Sequence, residues 1–344
     1  MLTDKETEQL RKELSECQRP LYYFHDDPDG LASFIMCQHI KAGAGVPVKA
    51  HPHLTTMFLR KIEELQPDKV FVLDIAQVDQ EFIDGCKVPV VWVDHHDVQQ
   101  RERVTYFNPR IRGENVPTPM LLWPLRASDA DLWVATVGCI GDWYWPPFAA
   151  EFSKQYPDLL PSKVKNVDDA LFDTPLSTLV KVFSFVLKGR TGEVNKAVRI
   201  LTRLASPYEV LKQETPAGKH VWQMYDFINK SYQQMLDKAI ATIDDREQTI
   251  VYTYVDDKLS LTKDLANELL YRYRKVIVLG RERLGEVRCS LRSPPGVNIK
   301  AALEKALVGV EGYGGGHENA CGAAVKKEDF KRFIDNLKRE LAQH

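Results

Sequence analysis

No apolar run in these 344 residues approaches the roughly 20 needed to cross a bilayer, so a membrane-spanning helix is not expected. The first residues, MLTDKETEQLRKELSE, are charged and lack the apolar core of an export signal, and the expected location is cytoplasmic. An excess of one charge is also missing. The 46 Lys+Arg offset 48 Asp+Glu, which argues against coating long duplex nucleic acid by bulk charge while leaving room for a local basic groove. Cysteine is sparse: the six are Cys17, Cys37, Cys86, Cys139, Cys289 and Cys321, and no two form a C-x-x-C, so a zinc–thiolate centre has no supporting spacing. Buried or half-buried free thiols in a reducing cytosol are expected instead. Internal repeats and low-complexity tracts are absent. What remains is an ordinary globular composition at a length that predicts two or three domains.

Residues 1–18 read as an amphipathic helix with Leu10 and Leu14 on one face. Short, continuously apolar strands then alternate with helices. The strands are Leu21 to Phe24, Val46 to Ala50, Lys69 to Asp74 and Val88 to Val93; the helices run from about Leu31 to Ala42, Thr55 to Leu65 and Gln77 to Cys86. That alternation predicts a parallel sheet covered on both faces. Residues 108–129 read as a Pro- and Arg-rich loop or lid, 143–161 as an aromatic connection, and 174–244 as mainly helical. From about residue 248 strands and helices alternate again. The expected fold class is α/β: a parallel-sheet domain at 1–150, a helical connector at 151–247 and a smaller α/β domain at 248–344.

The chemistry gathers where the first strands end. His25, Asp27 and Asp29 follow the first, Asp74 the third, and Asp94, His95 and His96 the fourth; Asp142 follows a later apolar segment. Each alone has an ordinary reading, because an Asp after a strand is often only a turn or a helix cap. Open α/β sheets bind ligands outside the carboxyl ends of their strands, so these groups are expected to meet. So many carboxylates repel unless cations or protons neutralise them. His and Asp without Cys suit Mn²⁺, with Mg²⁺ or Co²⁺ as substitutes. The ligands are too numerous for one ion with open positions; two ions about 3.5–4 Å apart fit better, and such a pair can activate water and clamp a phosphoryl group.

Near the other end, Gly312-Tyr313-Gly314-Gly315-Gly316-His317 holds four glycines in five positions and is read as a loop whose amides can approach an anion. Upstream, residues 271–292 carry seven Arg or Lys against Glu282 and Glu286. Arg292, beside Ser290 and Ser293, is the one singled out for bidentate phosphate binding; Arg288 would share its face of a strand.

The His25-x-Asp27-x-Asp29-Gly30 string, Asp74, Asp94-His95-His96 and Gly141-Asp142 resemble the four motifs of the DHH phosphoesterase superfamily. Gly-Gly-Gly-His317-x-x-Ala320-x-Gly322, with RCSLRS at 288–293 and Val297-Asn298 ahead of it, resembles the first type of DHH-associated C-terminal domain. The resemblance covers about 1–145 and 248–344. It implies two Mn²⁺, one held by His25, Asp27 and Asp74, the other by Asp29, Asp74, His95 and Asp142, with Asp74 bridging. It further implies that His96 faces the substrate phosphate, that Asp94 orients the imidazoles, and that Arg292, Gly315, Gly316 and His317 hold the substrate in an interdomain cleft. The first motif follows the spacing of RecJ-like exonucleases, with His25 where those have Asp, which leaves Asp26 as an alternative ligand. The implied activity is a RecJ-like or nanoRNase-like phosphodiesterase or exonuclease acting on single-stranded DNA, RNA or short oligonucleotides, with Trp143, Tyr144 and Trp145 as base-stacking candidates. A cyclic dinucleotide phosphodiesterase, a pyrophosphatase and a non-catalytic subunit of a replication or repair assembly are the alternatives. A homodimer or a replication or repair partner is compatible with each.

Overall fold

The computed structural model describes residues 1–49, 53–255 and 259–342. It divides into two compact units, Met1–Phe227 and Ile228–His344. In the first, α1 (Asp4–Glu16), β1 (Pro20–His25), α2 (Pro28–Ile40), β2 (Ala44–Val48), α3 (Leu59–Leu65), β3 (Lys69–Leu73), α4 (Gln80–Gly85), β4 (Val90–Val93) and β5 (Val104–Phe107) succeed one another. Ala50, the expected end of the second strand, lies outside the described residues.

The five strands form one wholly parallel sheet in the order β2-β1-β3-β4-β5. Its strands are apolar on both faces because both are covered. Leu21, Tyr23, Val70, Val72 and Trp92 pack with Phe82 and Ile83 of α4 on one side. On the other, Phe24 stacks on Phe34 of α2 and Tyr22 meets the same ring edge-on. The helix α2 is itself buried from Pro28 to Cys37.

The register decides what reaches the rim. Phe24 pairs with Leu73, Leu73 with Val93, and Val93 with Phe107. The next residues on the four strands are His25, Asp74, Asp94 and Asn108, so all four stand side by side at the carboxyl edge. Strand order reverses between β1 and β3, where such sheets open a crevice. β5 is absent from the sequence expectation: it has four residues, three of them half exposed, and follows a charged stretch.

The segment 108–129 is not the loop or lid expected. Its second half is α5 (Thr118–Arg126), a helix of nine residues whose Thr118 to Leu122 are buried, and α6 (Asp129–Gly141) follows two residues later. Pro119 at its first turn is compatible with a helix start, which composition alone had weighed toward a loop. The helices α7 (Ala149–Gln155), α8 (Val167–Phe172), α9 (Leu176–Phe185), α10 (Thr191–Leu201) and α11 (Tyr208–Leu211) complete the first unit, and α12 (Pro216–Ala241) crosses the boundary between units.

The second unit holds β6 (Thr249–Val255), α13 (Thr262–Tyr273), β7 (Val276–Arg283), β8 (Glu286–Arg292), α14 (Ile299–Ala306), β9 (Gly312–His317), β10 (Ala320–Lys326) and α15 (Phe330–Leu341). Its sheet runs β9-β10-β8-β7-β6, antiparallel except for the β6–β7 pair. Val278, Val287, Cys289, Leu291, Cys321 and Val325 pack with Leu303 of α14 and with Phe333 and Leu337 of α15. The glycine-rich segment read as a loop is β9, an exposed edge strand. Glycine is required there because a Cβ at Gly312, Gly314 or Gly316 would lie 2.4–2.8 Å from a carbonyl oxygen of β10. All six cysteines are free and buried. Among the described residues no helix is long and apolar enough to cross a membrane.

Candidate metal centre

Asp27 caps α2, its Oδ1 accepting from the Gly30 amide at 3.1 Å. Capping does not exhaust it: its Oδ2 lies 3.0 Å from His25 Nδ1. The same nitrogen lies 3.3 Å from Asp74 Oδ2. Asp26 stands on the far side of the His25 ring, 3.9 Å from Nε2, outside this cluster. One turn into α2, Asp29 is 1% exposed and is held by the Thr118 amide at 3.1 Å and the Ser33 hydroxyl at 3.3 Å.

Asp142 arrives from α6. A Cβ on Gly141 would lie 2.6 Å from Pro28 Cβ, so only glycine lets the end of α6 come this close to the start of α2. His95 Nδ1 faces Asn115 Oδ1 at 3.2 Å, which assigns the proton there and turns Nε2 toward the acids. That Nε2 is 3.3 Å from Asp74 Oδ1, 3.7 Å from Asp142 Oδ2 and 3.8 Å from Asp29 Oδ2. His96 Nδ1 bonds to Asp94 Oδ1 at 2.7 Å, leaving Nε2 for a ligand. Asp94 is fully buried and also faces the Tyr106 hydroxyl and Asn108 amide of β5 and its end.

Three overlapping ligand groups result: His25, Asp27 and Asp74; Asp29, His95 and Asp142; and Asp74, His95 and His96. The ligand atoms of each lie within 4.8 Å of one another. Asp74 belongs to two. It sits in the left-handed region at φ 57°, unfavourable for a residue with a Cβ, and this places its carboxylate among all three imidazoles. Its Oδ1 is buried and, among the described residues, accepts no hydrogen bond of good geometry, its nearest donor being His95 Nε2 at 3.3 Å. An orphaned carboxylate oxygen amid His and Asp donors fits a divalent cation of borderline-to-hard character.

Without an ion, protons carry the balance. Burial disfavours the charged form of His95, but Asp74, Asp29 and Asp142 outweigh it and push its pKa up to about 11. Burial likewise opposes charge on His25, yet Asp27 and Asp74 hold it well above the ordinary histidine range. Asp29 is pushed up by burial and by Asp74, whereas Asp74, against its burial, is held down by His25 and His95. Metal binding at such a site ejects protons.

In the second unit, Arg292 lies under α13. Its Nε donates to Asn267 Oδ1 at 2.7 Å and its Nη1 to Leu291 O at 2.8 Å. Burial lowers its pKa to about 10, and among the described residues no carboxylate lies within 4.0 Å of it. Ser290 donates to Thr262 of the same helix. Gly315 and His317 are exposed, and nothing would meet a Cβ on Gly315. Gly316, at φ 147°, turns instead toward β10.

Asn115, Thr118, Asn108 and Tyr106 escaped the sequence reading. Each acts through another group, and nothing in a lone Asn or Thr marks it as such; only the strand-like VTYF ahead of Asn108 carries a local signal.

Residues 247–343 match the DHHA1 domain family. No curated protein matches the sequence. Among solved structures, the chain is similar to RecJ in complex with Mn²⁺ from Thermus thermophilus, with a TM-score of 0.68 and 17% identity. The match covers 99% of this chain and 55% of that one, so the chain spans just over half of that RecJ. A second exonuclease RecJ bound to manganese matches with a TM-score of 0.63 at 16% identity, over 99% of this chain and 94% of that one. A pGpG-specific phosphodiesterase from Vibrio cholerae matches with a TM-score of 0.53 at 14% identity, over 94% and 99% of the two chains.

Proposed function

We propose that this chain, which has the fold of the DHH phosphoesterases and ends in a DHHA1 domain, is a metal-dependent phosphodiesterase that shortens single-stranded nucleic acid or short oligonucleotides to nucleoside monophosphates. The observation that carries the reading is Asp74: one strained, buried carboxylate shared by two ligand groups, with an oxygen that among the described residues has no well-formed hydrogen bond.

His25, Asp27 and Asp74 would hold one Mn²⁺, and Asp29, Asp74, His95 and Asp142 the other; Mg²⁺ or Co²⁺ suits the same donors. Such ions supply Lewis acidity, acidifying water and offsetting phosphoryl charge. The protein's own groups do the rest. His96, its Nδ1 proton fixed by Asp94, presents Nε2 to a substrate oxygen and stabilises charge as it grows there. Asn115 holds His95 in the ligating tautomer. Arg292, with no carboxylate within 4.0 Å among the described residues, binds substrate phosphate, and His317 and the open backbone at Gly315 flank it. Trp143, next to Asp142, is exposed at φ 59°, which supports its use as a stacking platform for a base.

The test is a panel of substrates offered to the purified chain with Mn²⁺: labelled single-stranded DNA and RNA, linear and cyclic dinucleotides, and pyrophosphate. Stepwise shortening of the oligonucleotides is expected. Turnover of pyrophosphate or cyclic dinucleotides alone would replace this reading with one of those activities. Metal binding without turnover of any substrate would make the chain a binding subunit.

A further inference from the structure

The pairing of the second sheet puts three rows of side chains on the face opposite α14 and α15. One row is Ile277, Arg292, Ala320 and His317, and the next is Leu279, Ser290, Gly322 and Gly315. The third is Arg281, Arg288, Ala324 and Tyr313. The helix α13 covers part of this face, anchored on Ser290 and Arg292. Gly322, Gly315, Arg288, Tyr313 and His317 stay exposed.

The third row has no place in the site described above, and its composition is costly. Arg281 and Arg288 stand directly opposite each other on neighbouring strands, where like charges destabilise a sheet. Among the described residues no carboxylate lies within 4.0 Å of Arg281, and its Nε is buried without a hydrogen-bond partner. Arg288 has only Glu286, at 3.7 Å, and is more than half exposed, so that pair contributes little. At the end of the row Tyr313 is 65% exposed. Between Tyr313 and His317 the middle row offers exposed Gly322 and Gly315, which put no side chain in the way, while Ser290 beside them is engaged by Thr262 of α13.

We propose that this row is a second phosphate subsite with a base platform, so that the chain grips oligonucleotides and not merely dinucleotides. The inference rests on the reading that its substrate is a nucleic-acid phosphodiester. Arg288 and Arg292 are four residues apart on one strand, about 13 Å at ~3.3 Å per residue. That separation exceeds the reach of one phosphate and suits non-adjacent phosphates of an extended strand. With Arg292 on one phosphate, Arg281 and Arg288 take a later one, and Tyr313 stacks the base beside it.

The experiment is fluorescence anisotropy with the whole 344-residue chain and labelled oligothymidylates of two, four and eight nucleotides, without added metal, across a salt series. Affinity is expected to rise from two to four nucleotides. Replacing both Arg281 and Arg288 by Ala removes one phosphate contact and should lower the slope of log affinity against log salt by about 0.7 on single strands. Arg288→Ala alone, at an exposed position, should lower it by part of that amount and serves if the double variant does not fold. Tyr313→Ala should weaken binding of the longer oligonucleotides roughly tenfold. Affinity independent of length, or an unchanged salt slope in Arg288→Ala, overturns the subsite. Length-dependent binding with no cleavage in Mn²⁺ supports the subsite and overturns the proposed activity; cleavage with length-independent binding does the reverse.

Discussion

Replacing Asp74 by Asn tests the centre at its most exposed assumption. Asn tolerates the left-handed backbone at φ 57° and matches the shape of Asp, so the fold has no steric reason to change. The carboxylate, however, serves two ligand groups at once, Oδ2 beside His25 and Oδ1 beside His95 and His96. Its loss should impair both sites, whereas Asp142→Asn removes a ligand from only one group. An ion at 100 times its dissociation constant stabilises the folded state by about 2.7 kcal/mol per independent site. Two sites give about 5.4 kcal/mol, which at about 2–4 °C per kcal/mol for a unit of this size is a melting shift of roughly 11–22 °C in Mn²⁺. Differential scanning calorimetry with and without Mn²⁺ reads this directly. About half the shift should survive in Asp142→Asn and almost none in Asp74→Asn, with bound Mn²⁺ counted by electron paramagnetic resonance falling in parallel. An Asp74→Asn protein that keeps the wild-type shift would refute the shared-ligand geometry.

Three other outcomes follow from the same geometry. Asp94→Asn should cut kcat by about 10²-fold or more while Mn²⁺ binding survives, because it frees His96 from its fixed tautomer; a raised KM with unchanged kcat would contradict that role. Gly30→Ala should unfold the chain or displace the first motif, since its Cβ would sit 2.3 Å from His25 O; a circular-dichroism melt at the wild-type temperature with intact Mn²⁺ binding would refute this. Asp131 makes stability depend on acid. Burial raises its pKa, but the hydrogen bonds from His39 and Ser128, with Arg126 beside it, outweigh that and hold it below the usual carboxylate value. A folded-state pKa below the unfolded one gives stability that is present above the unfolded value of about 3.9 and lost as pH falls through the folded value. Urea denaturation should therefore show the wild type losing its advantage over Asp131→Asn below about pH 4. A gap between the two that stays constant down to pH 2 would be inconsistent with the shift.

The parallel sheet and the crowd of acids at its rim were legible in the residues alone. Both are local properties: apolar runs flanked by helices, and His or Asp at the residue following each run. The C-terminal alternation of strands and helices was legible for the same reason. Composition misled where tertiary context overrides propensity. The glycines of 312–316 read as a loop, yet become an edge strand because β10 leaves no room for a Cβ. Residues 108–129 read as a lid, yet Thr118 holds Asp29, Asn115 holds His95, and the first half of α5 is buried. It took the folded chain to show which oxygen faces which imidazole, that Asp26 stands outside the cluster, and that Asp74 is strained and orphaned. Those facts depend on strand register and on α6 closing against α2 at Gly141, long-range relations that no stretch of sequence contains.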